Sequence, residues 1–148
     1  MKYFLIATAV FAADQFTKRL AERKLTDGRE VKVGKLKLCN VRNSGAALGV
    51  LSEDPKLLAA FTATAVMDVL GIYYNLYKDG KFDGGYKLSL AYLLGGAAGN
   101  LFDRARKGYV TDFIQIGKGP VFNLADVFVL AGVGTYIARR LKGLKKKA

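Results

Sequence analysis

Two aspartates lie in positions where an apolar residue would cost less free energy. Asp112 interrupts the alternating run Val110-Thr-Asp-Phe-Ile114, and Asp126 lies near the start of an apolar helical segment. A carboxylate in such surroundings is costly unless it is paired, hydrogen-bonded or protonated. Two carboxylates that approach each other can share one proton and divide the acid and base roles. The pair therefore predicts hydrolysis by two aspartates at a membrane surface.

The amino-acid composition excludes several other kinds of hydrolytic site. The 148 residues include no histidine, so neither a Ser-His or Cys-His pair nor a histidine zinc site can form. Cys39 is the single cysteine, which excludes an intrachain disulfide and a thiolate metal cluster. We expect no metal and no cofactor. Besides carboxylate chemistry, a Ser-Lys pair built on Ser44 or Ser52 stays open as an alternative.

The chain is strongly basic, with 24 Lys and Arg against 12 Asp and Glu. These basic residues flank apolar segments and form no continuous stripe with aromatic residues. Anionic lipid headgroups are therefore favoured as partners, and nucleic acid is not. The tail 139–147 is typical of an anchor beside a membrane, with a solvated basic tail as the alternative.

Four apolar segments predict helices of nearly membrane-spanning length. At 1.5 Å per residue they reach roughly 25 to 32 Å, against a hydrocarbon core of about 30 Å. We expect one membrane-embedded domain, residues 1–148, that is mainly α and contains a four-helix transmembrane bundle. The predicted helices cover residues 3–20, 57–77, 88–104 and 124–141.

Short alternating segments predict a small antiparallel β-sheet beside these helices. Residues 29–43 contain two alternating runs separated by Gly34, which predicts a hairpin. Residues 109–116 alternate in the same way and place Asp112 on a face with apolar neighbours. The sheet is thus expected to carry one of the two aspartates.

Two motifs in the first part of the chain are candidates for supporting roles. Asp14 and Lys18 are four residues apart, so they share a helix face and can form an ion pair, which favours a structural role. The segment Arg42-Asn-Ser-Gly-Ala-Ala-Leu-Gly49 predicts a turn of small residues with one amide, Asn43. Small residues let backbone approach a bound chain closely, so Asn43 can bind an extended substrate; an ordinary tight turn is the alternative.

The second part of the chain contains two further motifs. Gly95-Gly-Ala-Ala-Gly99 predicts close helix packing, and it is followed by one polar helix face. That face is formed by Asn100, Asp103, Arg104 and Lys107. Because Asp103 lies among cations, a structural role is favoured for it over proton transfer.

Asn123 precedes Asp126 by three residues, so both project from one side of a first helical turn. Asn123 or a nearby backbone group can then orient Asp126. The alternative is that Asp126 is only a helix N-terminal acid favoured by the helix dipole.

Taken in order, these motifs resemble those of lipoprotein signal peptidase, the type II signal peptidase of bacteria. The resemblance covers nearly the whole chain. It rests on the strings 14–18, 43–47, 95–104, 110–113 and 122–126. The family has four transmembrane helices, an extracytoplasmic β-cradle and both termini in the cytoplasm.

The resemblance implies an aspartyl endopeptidase that removes the signal peptide from diacylglyceryl-modified prolipoproteins, on the amino side of the lipid-bearing cysteine. It implies a multi-pass protein of the bacterial inner membrane with its active site near the extracytoplasmic face. Partners are the prolipoprotein, the phospholipid bilayer and globomycin-like inhibitors, and a monomer is expected. Asp112 and Asp126 match the catalytic positions. The supporting or substrate-binding positions match Asp14, Lys18, Asn43, Gly45, Asn100, Asp103, Arg104, Asn123 and Ala125.

The chain departs from the family pattern at two places. Leu48 replaces the aromatic residue that follows Gly-Ala-Ala in the family, and the stretch between Asp112 and Asp126 is shorter than in typical members. A non-catalytic lipopeptide-binding protein, or a designed structural analogue of the fold, is therefore kept as the alternative. Cleavage of a lipidated prolipoprotein separates the two.

Overall fold

The computed structural model describes residues 1–45 and 54–145. These ranges form four helices and a four-stranded antiparallel sheet, which confirms the mainly helical fold with a small sheet. In chain order the elements are α1 (Lys2–Lys24), β1 (Val31–Val33), β2 (Leu36–Asn43), α2 (Pro55–Lys78), α3 (Gly84–Lys107), β3 (Val110–Ile116), β4 (Val121–Phe122) and α4 (Leu124–Lys145).

Each helix is longer than its apolar pattern predicts. The first continues through Ala21-Glu-Arg-Lys24, beyond the predicted end at residue 20. These four residues end the apolar pattern but are strong helix formers, so the backbone stays helical. The third begins at Gly84 because the side chain of Asp83 accepts hydrogen bonds from the first backbone N–H groups. Hydropathy therefore locates the helices but not their ends.

Helix α3 lies at the centre of the bundle and packs against α1, α2 and α4. Its glycines make this possible. A Cβ on Gly95 would lie 2.7 Å from the backbone oxygen of Ala7 in α1, and one on Gly96 would lie 2.6 Å from that of Ala125 in α4. The small-residue segment thus allows close helix packing, as its sequence predicts.

The sheet has the strand order β1-β2-β3-β4, and a β-bulge divides the β2–β3 pairing. Leu38 pairs with Ile114, whereas Val41 pairs with Asp112, so β2 contains one extra residue between these pairs. A shift of one residue reverses which side chains face each side of a sheet. The bulge therefore turns Asn43, rather than its neighbour Arg42, to the face that carries Asp112.

Two short connections bring the sheet and the helices together at one end of the bundle. Gly108 follows the last residue of α3 in the left-handed conformation, with φ of 79°. Its N–H donates a hydrogen bond to the carbonyl oxygen of Arg104. Strand β3 then turns at 117–120 into β4, where Phe122 pairs with Ile114. Because α4 starts two residues later, this tight hairpin is the short stretch between the two aspartates, and β4 was not predicted.

The outer surface of the helices is apolar. Phe4 of α1, Met67 of α2 and Leu130 of α4 are 75%, 67% and 71% exposed. Among the described residues, one helix, Lys56–Lys78, is long and apolar enough by composition to cross a membrane. The charges that lower the hydropathy of α1 include Asp14 and Lys18, yet both are fully buried inside the bundle.

Candidate active site

Asp112 lies on β3 with only 3% of its surface exposed. Its Oδ2 accepts a hydrogen bond of 2.8 Å from Asn43 Nδ2, and its Oδ1 accepts one of 2.6 Å from Asn123 Nδ2. Burial raises the pKa of Asp112 above its ordinary value, and the charge of Asp126 acts in the same direction. The two amide hydrogen bonds offset this only in part. Asp112 is therefore suited to hold a proton.

Asp126 lies in the first turn of α4. Its Oδ1 accepts a hydrogen bond of 2.8 Å from Asn100 Nδ2, and its Oδ2 accepts one of 3.1 Å from the backbone N–H of Asn123. In return, the backbone N–H of Asp126 donates to Asn123 Oδ1 over 3.1 Å. This reciprocal pattern is a capping box, which fixes the carboxylate against the helix N-terminus. The spacing of the two residues predicts that they lie on one side of the first turn, where Asn123 can orient Asp126, but it does not predict the reciprocal bonds.

Asn123 brings the two aspartates into one site. It donates to Asp112 through its side chain and to Asp126 through its backbone. Its Nδ2 also donates to Asn100 Oδ1 over 3.1 Å, and Asn100 Oδ1 accepts a second bond of 2.8 Å from Lys18 Nζ. Because every one of these groups is held by a partner, the carboxylates are fixed before any substrate arrives.

The buried ion pair of α1, Asp14 with Lys18, supports the two aspartates of the site through contacts with α3 and α4. Lys18 Nζ lies 2.8 Å from Asp14 Oδ2 and 3.4 Å from Asp103 Oδ2, and all three side chains are fully buried. Asp14 Oδ1 also accepts a hydrogen bond of 2.9 Å from the N–H of Ala125, in the first turn of α4. The pair predicted on α1 thus joins α1, α3 and α4. Asp103 has Lys18 and Lys107 as its cations.

The segment around Asn43 differs from the predicted turn. Arg42 and Asn43 belong to β2, and the N–H of Gly45 donates to Asn43 Oδ1 over 3.1 Å. Both polar atoms of the Asn43 amide therefore bind within the protein, and the Asn43 side chain supports Asp112 directly. Leu48 and Ser52 lie outside the described residues, and Ser44 is exposed.

A cavity of about 370 Å³ opens beside Asp126, between α2, α3 and α4. Its polar end is formed by Asn100, Arg104 and Asp126. The buried Nε of Arg104 has no hydrogen-bond partner among residues 1–45 and 54–145, so it remains available to an acceptor. The rest of the lining is apolar apart from one threonine: Phe61, Thr62, Ala65, Val66, Val69, Leu93, Leu94, Ala97 and Val129. We call this cavity the apolar groove.

Three residues of the surrounding structure have roles that the sequence reasoning missed. Gln15 Nε2 donates to Asp14 and Asp103, and Thr111 Oγ1 of β3 donates to Glu22 Oε1 of α1. Gln15 lies within the recognised string 14–18, but the sequence assigned it no role of its own. Thr111 lies beside Asp112, and strand alternation alone would have pointed it towards the helices.

The same combination of helices, sheet and motifs occurs in known proteins. The model of the family described as signal peptidase (SPase) II matches residues 6–142. The chain belongs to the signal peptidase II family. It is 40% identical over 134 residues to a lipoprotein signal peptidase of Caldicellulosiruptor bescii, covering 90% of this chain and 86% of that protein. A lipoprotein signal peptidase of Brevibacillus brevis is 38% identical to this chain, and the match covers 90% of this chain and 91% of that protein.

A solved structure agrees with this membership. A bacterial membrane enzyme determined by the in meso method at 2.3 Å resolution has a TM-score of 0.86 and 31% identity, covering 99% of this chain and 92% of that one. As a member of the signal peptidase II family, the chain is a membrane protease.

Proposed function

We propose that this signal peptidase II family member is an aspartyl endopeptidase that removes the signal peptide from diacylglyceryl-modified prolipoproteins. The observation that carries the proposal is the position of Asn123, which holds the carboxylates of Asp112 and Asp126 at the same site. Two carboxylates in unequal surroundings can divide acid and base roles.

In this mechanism Asp112 holds the shared proton at rest, because burial raises its pKa. Asp126 lines the apolar groove and acts as the general base. It takes a proton from a water molecule as that water attacks the scissile carbonyl carbon. The carboxyl O–H of Asp112 donates a hydrogen bond to the carbonyl oxygen, where negative charge develops.

The second half of the reaction returns the protons. The tetrahedral intermediate collapses as its C–N bond breaks, and the leaving nitrogen takes a proton from the pair. The products are a signal peptide with a new carboxyl terminus and a lipoprotein with a free amino group on its lipid-bearing cysteine. No covalent intermediate with the enzyme forms.

The apolar groove supports the choice of a lipidated substrate. Acyl chains lying among its apolar side chains would be removed from water, and the polar end would receive the glyceryl and peptide groups. Binding energy from this remote anchor orients the scissile bond at the aspartates. The Nε of Arg104, which has no partner among the described residues, donates to an acceptor on the substrate.

The proposed membrane arrangement is the one that the family resemblance implies. Four transmembrane helices with both termini in the cytoplasm put the sheet and the aspartates near the extracytoplasmic face of the bacterial inner membrane. The exposed apolar side chains of α1, α2 and α4 then face lipid. Globomycin-like cyclic peptides would compete for the site, and a monomer is the proposed active form.

Incubation of the purified chain with a prolipoprotein tests the proposal. We expect a gel shift that reports loss of the signal peptide when the substrate cysteine carries diacylglyceryl. A matched substrate with serine at that cysteine cannot be lipidated and is expected to stay intact. Binding of the lipidated substrate without cleavage would instead support the alternative, a non-catalytic lipopeptide-binding or designed analogue.

A further inference from the structure

A cluster of polar side chains holds β3 from the face opposite Asp112. We call it the Thr111 cluster: Glu22, Asp103, Lys107 and Thr111. Thr111 Oγ1 donates to Glu22 Oε1 over 2.6 Å and accepts from Lys107 Nζ over 3.2 Å. Lys107 Nζ also lies 2.6 Å from Glu22 Oε1 and 3.1 Å from Asp103 Oδ1. The cluster joins the end of α1 and the end of α3 to the strand.

Thr111 is held at its backbone as well as at its side chain. Its N–H donates to Asp103 Oδ2 over 3.2 Å, and the residue is fully buried. Successive side chains of a strand point to opposite faces, so whatever fixes Thr111 also fixes the direction of Asp112. A rotation of β3 about its own axis would move the Asp112 carboxyl away from Asn43 and Asn123.

We propose that Glu22 and Thr111 are positioning residues for Asp112, acting through the orientation of β3. The inference rests on the proposed function, because it assigns these residues to the same site. Among the described residues, neither side chain hydrogen-bonds Asp112 or Asp126, so neither is assigned a catalytic role. Their effect is expected on turnover, since substrate affinity comes from the apolar groove.

The contacts themselves argue against a purely space-filling role. Valine has nearly the shape of threonine and would fill the same volume, but it can neither donate to Glu22 nor accept from Lys107. A partly exposed ion pair by itself contributes little to stability, and the side chains of Glu22 and Lys107 are 30% and 20% exposed. The cluster fixes the direction of the buried Thr111 hydroxyl, and Thr111 is the neighbour of Asp112 on β3.

The test compares Thr111→Val with Thr111→Ser in the full chain, reconstituted with a diacylglyceryl-modified prolipoprotein. We expect Thr111→Val to lower kcat about 10-fold with KM unchanged, because small misplacements of a reacting group are costly. Thr111→Ser keeps the hydroxyl and is expected to retain kcat within about 2-fold. Glu30→Ala is the control, since Glu30 pairs with Lys37 on the exposed part of the same sheet.

A double variant shows whether the two residues act along one path. If they do, Glu22→Ala combined with Thr111→Val lowers kcat no further than the more severe single variant. Losses that multiply would overturn the inference, as would a Thr111→Val enzyme with the kcat of the wild type or with a change in KM alone. If Thr111→Val does not fold, Glu22→Ala alone decides: a kcat equal to that of the wild type contradicts the inference.

The outcome also separates this inference from the proposed function. Asp112→Asn is assayed beside the other variants. An inactive Asp112→Asn with a fully active Thr111→Val removes only the positioning role. A wild-type chain that cleaves nothing, or a fully active Asp112→Asn, removes the proposed function itself.

Discussion

At the scale of single residues, the two aspartates of the proposed site share a partner but differ in surroundings. Asp112 is enclosed by the amides of Asn43 and Asn123 on a buried strand. Asp126 lies at a helix N-terminus and faces the apolar groove. Such a difference lets one carboxyl keep a proton while the other accepts one, as general acid–base hydrolysis requires.

The raised pKa of Asp112 has a consequence for stability. In the unfolded chain its carboxyl titrates near 3.8, and in the folded protein it titrates at a higher pH. Between these two pKa values the folded state binds more protons than the unfolded chain does. The contribution of Asp112 to stability is therefore fully present below pH 3.8 and is lost as the pH rises through the pKa of the folded protein. We therefore expect the Tm of Asp112→Asn, relative to that of the wild type, to increase from acid to neutral pH.

Thermal unfolding in detergent across this pH range measures the effect. The uncharged change Gly134→Ala serves as the control, because its Tm difference from the wild type is expected to stay constant with pH. If the Tm difference of Asp112→Asn also stays constant, Asp112 has the same pKa in both states and is not the proton carrier.

At the scale of elements, the sequence predicts the helices and most of the strands, but not the register that completes the site. Hydropathy and alternation identify α1 to α4 and three strands. The bulge in β2 carries no comparable signal, yet it decides that Asn43 and not Arg42 faces Asp112. Strand β4 has only two residues, too few for an alternating pattern to be recognised.

Local spacing predicted some of the supporting residues, and the family resemblance supplied others. Asp14 with Lys18 and Asn123 with Asp126 were found because each pair lies within one helical turn. The contacts of Gln15 with Asp103 and of Glu22 with Thr111 join positions that are distant in the chain, so no local sequence pattern indicates them.

The close contact between α3 and α4 gives a test at this scale. Gly96→Ala would place its Cβ 2.6 Å from the backbone oxygen of Ala125 and 2.9 Å from Val129 Cγ2. Because backbone must move to accept it, we expect a loss of about 1 to 3 kcal/mol in the free energy of unfolding. Gly134→Ala in α4 meets nothing within 4 Å. It should gain about 0.5 to 1 kcal/mol, since alanine is the better helix former.

Denaturant or thermal unfolding of the two glycine variants measures this difference. A Gly96→Ala protein as stable as Gly134→Ala would show that α3 and α4 do not pack at the distance seen here.

At the scale of the whole molecule, polar groups are concentrated inside one end of an apolar bundle. Lys18, Asp14 and Asp103 are fully buried, whereas Phe4 and Leu130 are exposed. This inside-out distribution is expected for a membrane protein, where lipid covers apolar surface and buried charges must find partners.

The proposed orientation can be tested by labelling single cysteines. In a Cys39→Ser background, Lys118→Cys lies in the exposed β3–β4 turn and Lys142→Cys lies near the exposed end of α4. We expect a membrane-impermeant maleimide to label Lys118→Cys in intact spheroplasts and Lys142→Cys only after lysis. Labelling of both from the same side would contradict the arrangement.

The central claim is that Asp112 and Asp126 together hydrolyse the peptide bond, and kcat for single amide substitutions tests it most directly. Cleavage of a diacylglyceryl-modified prolipoprotein is measured for Asp112→Asn, Asp126→Asn and the control Asp27→Asn, which changes an exposed turn residue. We predict that each of the first two lowers kcat about 10²- to 10⁴-fold while the protein stays folded, and that the control keeps full turnover. Wild-type turnover by either Asp112→Asn or Asp126→Asn would contradict the account.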